Sequence, residues 1–172
     1  MKYEQELTGG HHNSLGNTLK VVEDALKNRA NLEQLYQCYF SDDEVVRLRV
    51  SNAMKRVCRE QPDWVLEYLD NLLDEISEID QPSAKWTLSQ LFMLLDRDMT
   101  DSQRKKAVAI VKHNLDTEPD WIVQNFGMEY MFKMTKYDQS LKKWLKPRLQ
   151  KNAKDKERES VARRAEKFLA GL

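Results

Sequence analysis

Cysteine is scarce in this chain of 172 residues, with Cys38 and Cys58 its two examples. Two isolated thiols build neither a disulfide framework nor a Cys-x-x-Cys motif. Buried, reduced side chains are the expectation for them, with a mutual disulfide as the other option. No apolar run approaches the ~20 residues of a membrane-spanning helix. Met1-Lys2-Tyr3-Glu4-Gln5-Glu6 has no apolar stretch behind it of the kind a secretory leader carries. A cytoplasmic protein with no membrane contact is therefore expected. Glycine (five) and proline (four) are too few to mark a linker. One helical domain over 15–172 is expected, after a tail or ordered loop over 1–14. Net charge is also lacking, since 28 Lys/Arg balance 28 Asp/Glu. Bulk electrostatics names no partner. Alternating apolar and polar stretches are missing, and with them any sign of strands. Gly-x-Ser-x-Gly and His-Glu-x-x-His are absent, so nucleophilic and zinc-hydrolase chemistry find no foothold.

What the chain does have is repetition. Ser41-Asp42-Asp43-Glu44-Val45-Val46-Arg47 opens a helix carrying Val50, Ala53, Met54 and Val57. Asp80-Gln81-Pro82-Ser83-Ala84-Lys85 opens another with Leu88, Leu91, Phe92 and Leu95. The pattern returns with Val123, Gly127, Tyr130, Met131 and Met134, and more weakly with Ala162, Ala165 and Leu169. A period of roughly 35 to 39 residues holds two helices per unit, the signature of a helical solenoid. Four outer and four inner helices follow, behind a capping helix from about 17 to 27. Asn31, Ser41 with Glu44, Thr100 with Gln103, and Thr117 are the expected N-caps. Pro62 and Pro82 suit first helical turns. Pro147 falls inside an outer helix, where it removes a backbone hydrogen bond.

The openings Asp43-x-x-Val46-Arg47, the later Ala53 and the outer-helix Pro147 resemble the HEAT repeat, over about 31–170. The N-terminal Thr8-Gly9-Gly10, Ser14-x-Gly16 and Val21-Val22 resemble the opening of small bacterial HEAT-repeat proteins of unassigned function. The resemblance implies an all-α, right-handed α-α superhelix of the armadillo-like kind, with about four helix pairs plus an N-terminal capping helix. It also implies a ladder of basic residues along the stack. Arg47 and Lys85 keep that position, while Gln124 and Glu159 do not.

Three segments carry candidate sites. The glycines at 9, 10 and 16, with Ser14, lead into a helix; they either turn backbone N–H groups toward an anion or only cap that helix. His11 and His12 adjoin them without the further ligands a metal needs. Residues 133–172 hold 13 Lys/Arg against 5 Asp/Glu. There Lys142, Lys143, Lys146, Arg163 and Arg164, with Trp144 to stack on a base, outline a nucleic-acid surface. Superimposing the repeats gives rows beside the core stripe. Leu48, Trp86, Asn125 and Ser160 form one, Ser51, Ser89, Met128 and Arg163 the next, Lys55, Met93, Phe132 and Lys167 the third. Trp86, Met93, Met128 and Phe132 supply apolar anchors, with Arg47, Lys55, Lys85 and Asn125 beside them, the composition of a groove for a partner segment. The expectation is a non-enzymatic interaction module without cofactor or metal, docking a protein segment on its inner helices. Nucleic-acid binding through the basic C-terminal repeat is the alternative.

Overall fold

A computed structural model describes residues 2–11 and 14–172. They form eleven α-helices, two 3₁₀ turns and no strand. The chain divides into two compact units, Met1–Asp98 and Met99–Leu172.

The first unit holds α1 (Lys2–Leu7), α2 (Thr18–Ala25), α3 (Arg29–Gln37), α4 (Glu44–Glu60), α5 (Pro62–Leu66), α6 (Leu69–Asp74) and α7 (Pro82–Leu95). Apolar residues at helical spacing explain α4, which buries Val46, Val50, Ala53, Met54 and Val57. The inner helices α4 and α7 pack side by side. The segment expected as a tail or loop contains α1. Tyr3 and Leu7, four residues apart, are its buried face. The Tyr3 hydroxyl donates to Asp24 at 2.6 Å, and Lys2 pairs with the same carboxylate, which ties α1 to α2. The outer helix after Pro62 is tightened around 67–68 rather than continuous, so α5 and α6 are short. Tyr36 donates to Glu75 and Tyr68 to Glu33, each at 2.7 Å, reciprocal bonds between α3 and the next outer segment. Cys38 and Cys58 are both free and buried. Burial, with Glu4 nearby, pushes the Cys38 thiol up to about 11. Burial likewise pushes Cys58 up to about 12.

The second unit holds α8 (Asp101–Thr117), α9 (Trp121–Met134), α10 (Leu141–Asn152) and α11 (Glu159–Gly171). The three-residue connection from α8 to α9 makes them antiparallel neighbours, and they pack along their length. Gly127 is where they come closest. A Cβ there would lie 2.7 Å from Leu115 Cδ2.

Helix starts follow the expected chemistry, with several shifted caps. The box of Thr100 and Gln103 is present in both directions. Pro62 and Pro82 sit in first turns. Asn28, not Asn31, caps α3, its side chain accepting from the Asn31 N–H. Asp43, not Ser41, caps α4. Ser41 instead accepts from the Asp43 N–H and donates to Glu4 at 2.6 Å. Asp120, not Thr117, caps α9, accepting from the Ile122 and Val123 N–H groups. Thr117 ends α8 and donates to the His113 carbonyl. In each case the polar residue directly before the first helical residue caps, because only there does its short side chain reach the free N–H groups; Ser41 and Thr117 stand too far upstream and Asn31 lies inside α3.

Candidate docking site

The glycine segment is settled by a residue that its own sequence does not contain. Arg49, on α4, is 2% exposed. Its Nη1 donates to the carbonyls of Leu7 and Gly9 at 2.6 Å and of Thr8 at 3.3 Å. Nη2 reaches the His11 carbonyl at 3.3 Å, and Nε the Ser14 carbonyl at 3.2 Å. The segment thus presents C=O groups to a cation, the reverse of a nest of N–H groups around an anion. Glycine is required by the close approach. Gly16 has φ +50°, and a Cβ on it would lie 2.9 Å from Arg49 Cζ. Asp43 stands close enough for the guanidinium to help hold its carboxyl below the ordinary value. Larger contributions come from the Thr8 hydroxyl, at 2.7 Å, and the Val45 N–H. This arrangement fastens the N-terminal segment to α4. Sequence periodicity hid it, since Arg49 reads there as one more basic residue beside Arg47. His12 and Asn13 lie outside the described residues. Among the described residues no group of three His, Cys, Asp or Glu could hold a metal.

The basic ladder is partly present as hydrogen bonds rather than a run of cations. Arg47 Nε donates to Gln81 at 2.7 Å, and its Nη1 to the Ser41 carbonyl at 2.6 Å. Gln81 returns to the Glu44 carbonyl at 3.0 Å. Gln124 carries the equivalent linkage in the second unit, donating to the Leu115 and Glu118 carbonyls. Arg158 donates to the Pro119 carbonyl at 2.9 Å. Lys85 is held by Asp80 at 2.6 Å, its side chain only 12% exposed. Arg47, expected as a partner contact, is therefore engaged by its own turn and by Gln81 of the next repeat, and Lys85 by Asp80 of its own.

The second unit's three groove residues are also spoken for. Met128 is 1% exposed, and the Asn152 amide contacts its sulfur at 3.3 Å. Asn125 is 5% exposed and donates to Ser160 at 3.3 Å. Phe132 stacks on Phe168, centroids 4.9 Å apart. It also fills the space above Gly171, whose absent Cβ would sit 2.8 Å from its ring. Asn125 and Phe132 are covered by α11, which packs on α9, and Met128 by Asn152 of α10.

The basic C-terminal set is dispersed. Lys142 donates to the Leu172 carbonyl at 2.9 Å. Arg163 pairs with Glu159, and Arg164 with Glu129 at 2.8 Å. The face of Trp144 expected to take a base is covered by the Arg148 guanidinium, 3.7 Å from the ring centroid, with Lys112 at 5.1 Å. Lys143 and Lys146 remain exposed. A cleft of about 410 Å³ lies beside this helix, lined by Gln124, Asn152, Arg148, Lys151 and Arg158. Its two arginines already serve Asp116 and Asp155.

Phe132 in the second unit stays half-buried against Phe168, and the other accessible residues of the expected groove lie in the first unit. Lys55, Trp86 and Met93 are each half-buried, as are Leu48 and Asn52 on α4. Burial lowers the Lys55 ammonium below the usual lysine range, and Arg59 and Arg56 lower it further. Arg56 spends one donor on Asn52 at 2.7 Å. Neither Lys55 nor Arg59 pairs with a carboxylate among the described residues. Three cations crowd the last turns of α4, where the helix C-terminus partly compensates them.

No described helix is long and apolar enough to cross a membrane. No curated protein and no solved structure matches the chain. A family model for the HEAT repeat domain matches residues 3–171, nearly the whole length, and its repeats are generally protein-interaction scaffolds. The recurrent hairpins, the hydrogen-bonded turns at Arg47 and Gln124, and this match agree, and the chain belongs to the HEAT repeat family.

Proposed function

We propose that the chain is a non-enzymatic docking module that takes an acidic, partly apolar segment of a partner protein across α4 and α7. The observation that carries this reading is Lys55, a half-buried cation beside Arg56 and Arg59 with no acid to answer it. A buried charge without a counter-charge is costly. A carboxylate brought by a partner would relieve that cost and restore the ammonium to its ordinary range. In the repeat alignment Lys55 shares a row with Met93 and Leu48 with Trp86, and the helices that carry them, α4 and α7, pack on each other. Trp86 and Met93 then offer the aromatic and thioether surface on which binding energy concentrates. Contacts with the partner therefore centre on Lys55, Trp86 and Met93, with Arg59 at the rim.

An array of peptides that vary acidic and apolar content tests it. Wild type should retain peptides in which an acid lies one helical turn from an aromatic or leucine. Lys55→Glu should lose them about tenfold or more, and Trp86→Ala should lose them without changing the acid preference. Retention unchanged in both variants, with the fold intact by circular dichroism, would refute the assignment.

A further inference from the structure

The cleft beside α10 holds one polar atom whose bonding is incomplete. Gln124, on α9, spends its amide nitrogen on the Leu115 and Glu118 carbonyls, at 3.0 and 2.8 Å. Its Oε1 is thereby turned to Asn152 of α10, which donates to it through Nδ2 at 3.3 Å. Nδ2 also lies 3.3 Å from the Met128 sulfur. These contacts fix which way the Asn152 amide points. Its Oδ1 is left over, and among the described residues nothing donates to it. Asn152 is 9% exposed and lines the cleft, and its Oδ1 is not among the atoms sealed away from solvent. Free lone pairs therefore open on a cavity of about 410 Å³, a size suited to a small molecule.

The charges around that atom are answered, with one exception. Arg148 holds Asp116 through Nε and Nη2, and Arg158 holds Asp155 in the same way. Their Nη1 groups donate to the Trp144 and Pro119 carbonyls. A guanidinium has five N–H donors, so each arginine keeps two while its charge is neutralised. The Glu118 carboxylate accepts from the Asp120 N–H at 3.3 Å, at the positive end of α9. Lys151, at the rim, is exposed and pairs with no acid among the described residues. Leu115, Pro119 and Leu145 supply an apolar wall.

We infer that this cleft binds a small monocarboxylate that carries its own neutral hydrogen-bond donor, as a hydroxy acid does. The hydroxyl donates to Asn152 Oδ1, the carboxylate meets Lys151 and the spare arginine N–H groups, and the apolar body lies on the wall. A neutral donor fits the floor better than an ammonium, because a charge buried against a single amide oxygen is costly. One unanswered cation at the rim matches a single negative charge, where a phosphate would bring close to two. The ligand joins the turn between α8 and α9 to the turn before α11, all within the second unit. The inference stands apart from the docking reading above, since it uses none of Lys55, Trp86 or Met93.

Side-chain amide NMR on the full chain tests it, with three matched probes. Phenyllactate carries the hydroxyl, the carboxylate and an apolar ring. Phenylpropionate lacks the hydroxyl, and the methyl ester of phenyllactate lacks the charge. In the wild type, phenyllactate should shift the Asn152 and Gln124 side-chain amide signals along one curve, with a dissociation constant on the order of 1 mM or tighter. Removing the hydroxyl should weaken binding about fivefold or more, because Asn152 Oδ1 is then covered without a donor. Removing the charge should weaken it about threefold. Lys151→Gln, at an exposed position that leaves the core untouched, should weaken phenyllactate by the same factor and leave the ester unaffected. No shift at Asn152 with roughly 10 mM phenyllactate would overturn the inference. So would phenylpropionate bound as tightly as phenyllactate, or a Lys151→Gln variant that binds phenyllactate as well as the wild type does.

Discussion

Replacing Arg49 with methionine keeps the stem of the side chain and removes the head that the glycine segment wraps. The guanidinium makes five hydrogen bonds to carbonyls. Two are short, at 2.6 Å, to Leu7 and Gly9. Hydrogen bonds to a charged group contribute about 1.5–3 kcal/mol each in net terms. The three at 3.2–3.3 Å belong to the lower part of that range or below it. Two effects reduce the sum. The exposed segment lets most of its carbonyls return to water once released, and the cost of burying the guanidinium disappears with it. The expected loss is on the order of 3–5 kcal/mol, a large part of a small domain's stability. Arg49→Lys keeps the charge but not the fork, and should lose about half as much. Gly16→Ala brings its Cβ to 2.9 Å from Arg49 Cζ at a positive φ. It should cost about 1–2 kcal/mol for the backbone alone, plus the clash. In the Arg49→Met background the clash vanishes, so the two changes couple and fall short of additivity. Urea unfolding followed by circular dichroism measures all of these. An Arg49→Met variant within about 1 kcal/mol of wild type, or strict additivity with Gly16→Ala, would refute the clasp.

Gly127→Ala forces Leu115 to move from a 2.7 Å contact. It should lower stability by about 1–3 kcal/mol, and Leu115→Ala should abolish most of the difference between glycine and alanine at 127, read from thermal unfolding. Asp24 accepts from Lys2, Tyr3 and Lys27, which together hold its carboxyl well below its ordinary 3.8. With the folded value depressed, the unfolded chain binds the proton first on acidification. The stabilisation is complete above 3.8 and is lost as pH falls toward the folded value. Denaturation midpoints measured from neutral pH downward should therefore drop less steeply below 3.8 for Asp24→Asn than for wild type. Parallel curves would count against the Lys2–Tyr3–Asp24 tie.

Legibility from sequence followed the range of the interaction. The stripes of α4 and α7, the proline-led first turns and the Thr100 box depend on neighbours within one helix, and they stand where periodicity puts them. α1 was missed because six residues with Tyr3 and Leu7 alone as apolar positions give too short a pattern to register. The caps slipped because Asn28 and Asn31, or Asp43 and Ser41, are equally able to offer an accepting side-chain oxygen. Only backbone geometry chooses between them. Arg49 was invisible for a different reason: its bonds reach back 35 to 42 residues, to carbonyls that carry no side-chain signature. At the groove, row alignment groups positions of equivalent register but carries no information on their exposure. Asn125 aligns with half-buried Leu48 and Trp86, yet Ser160 of α11 covers it, and Met128 aligns with Ser51 and Ser89, which are buried as it is. Local acids and carbonyls at Asp80 and Ser41 similarly occupied Lys85 and Arg47.

The most direct measurement of the docking account is a side-chain NMR titration of the chain with an acidic amphipathic peptide retained by the array. The account predicts that the Lys55 ammonium-adjacent methylene, the Trp86 indole N–H and the Met93 methyl shift together along one binding curve, with the Lys55 titration midpoint rising as the peptide's carboxylate arrives. Shifts that gather on Lys143 and Lys146 instead, or a Lys55 midpoint that stays where burial and its two arginines put it, would contradict the account.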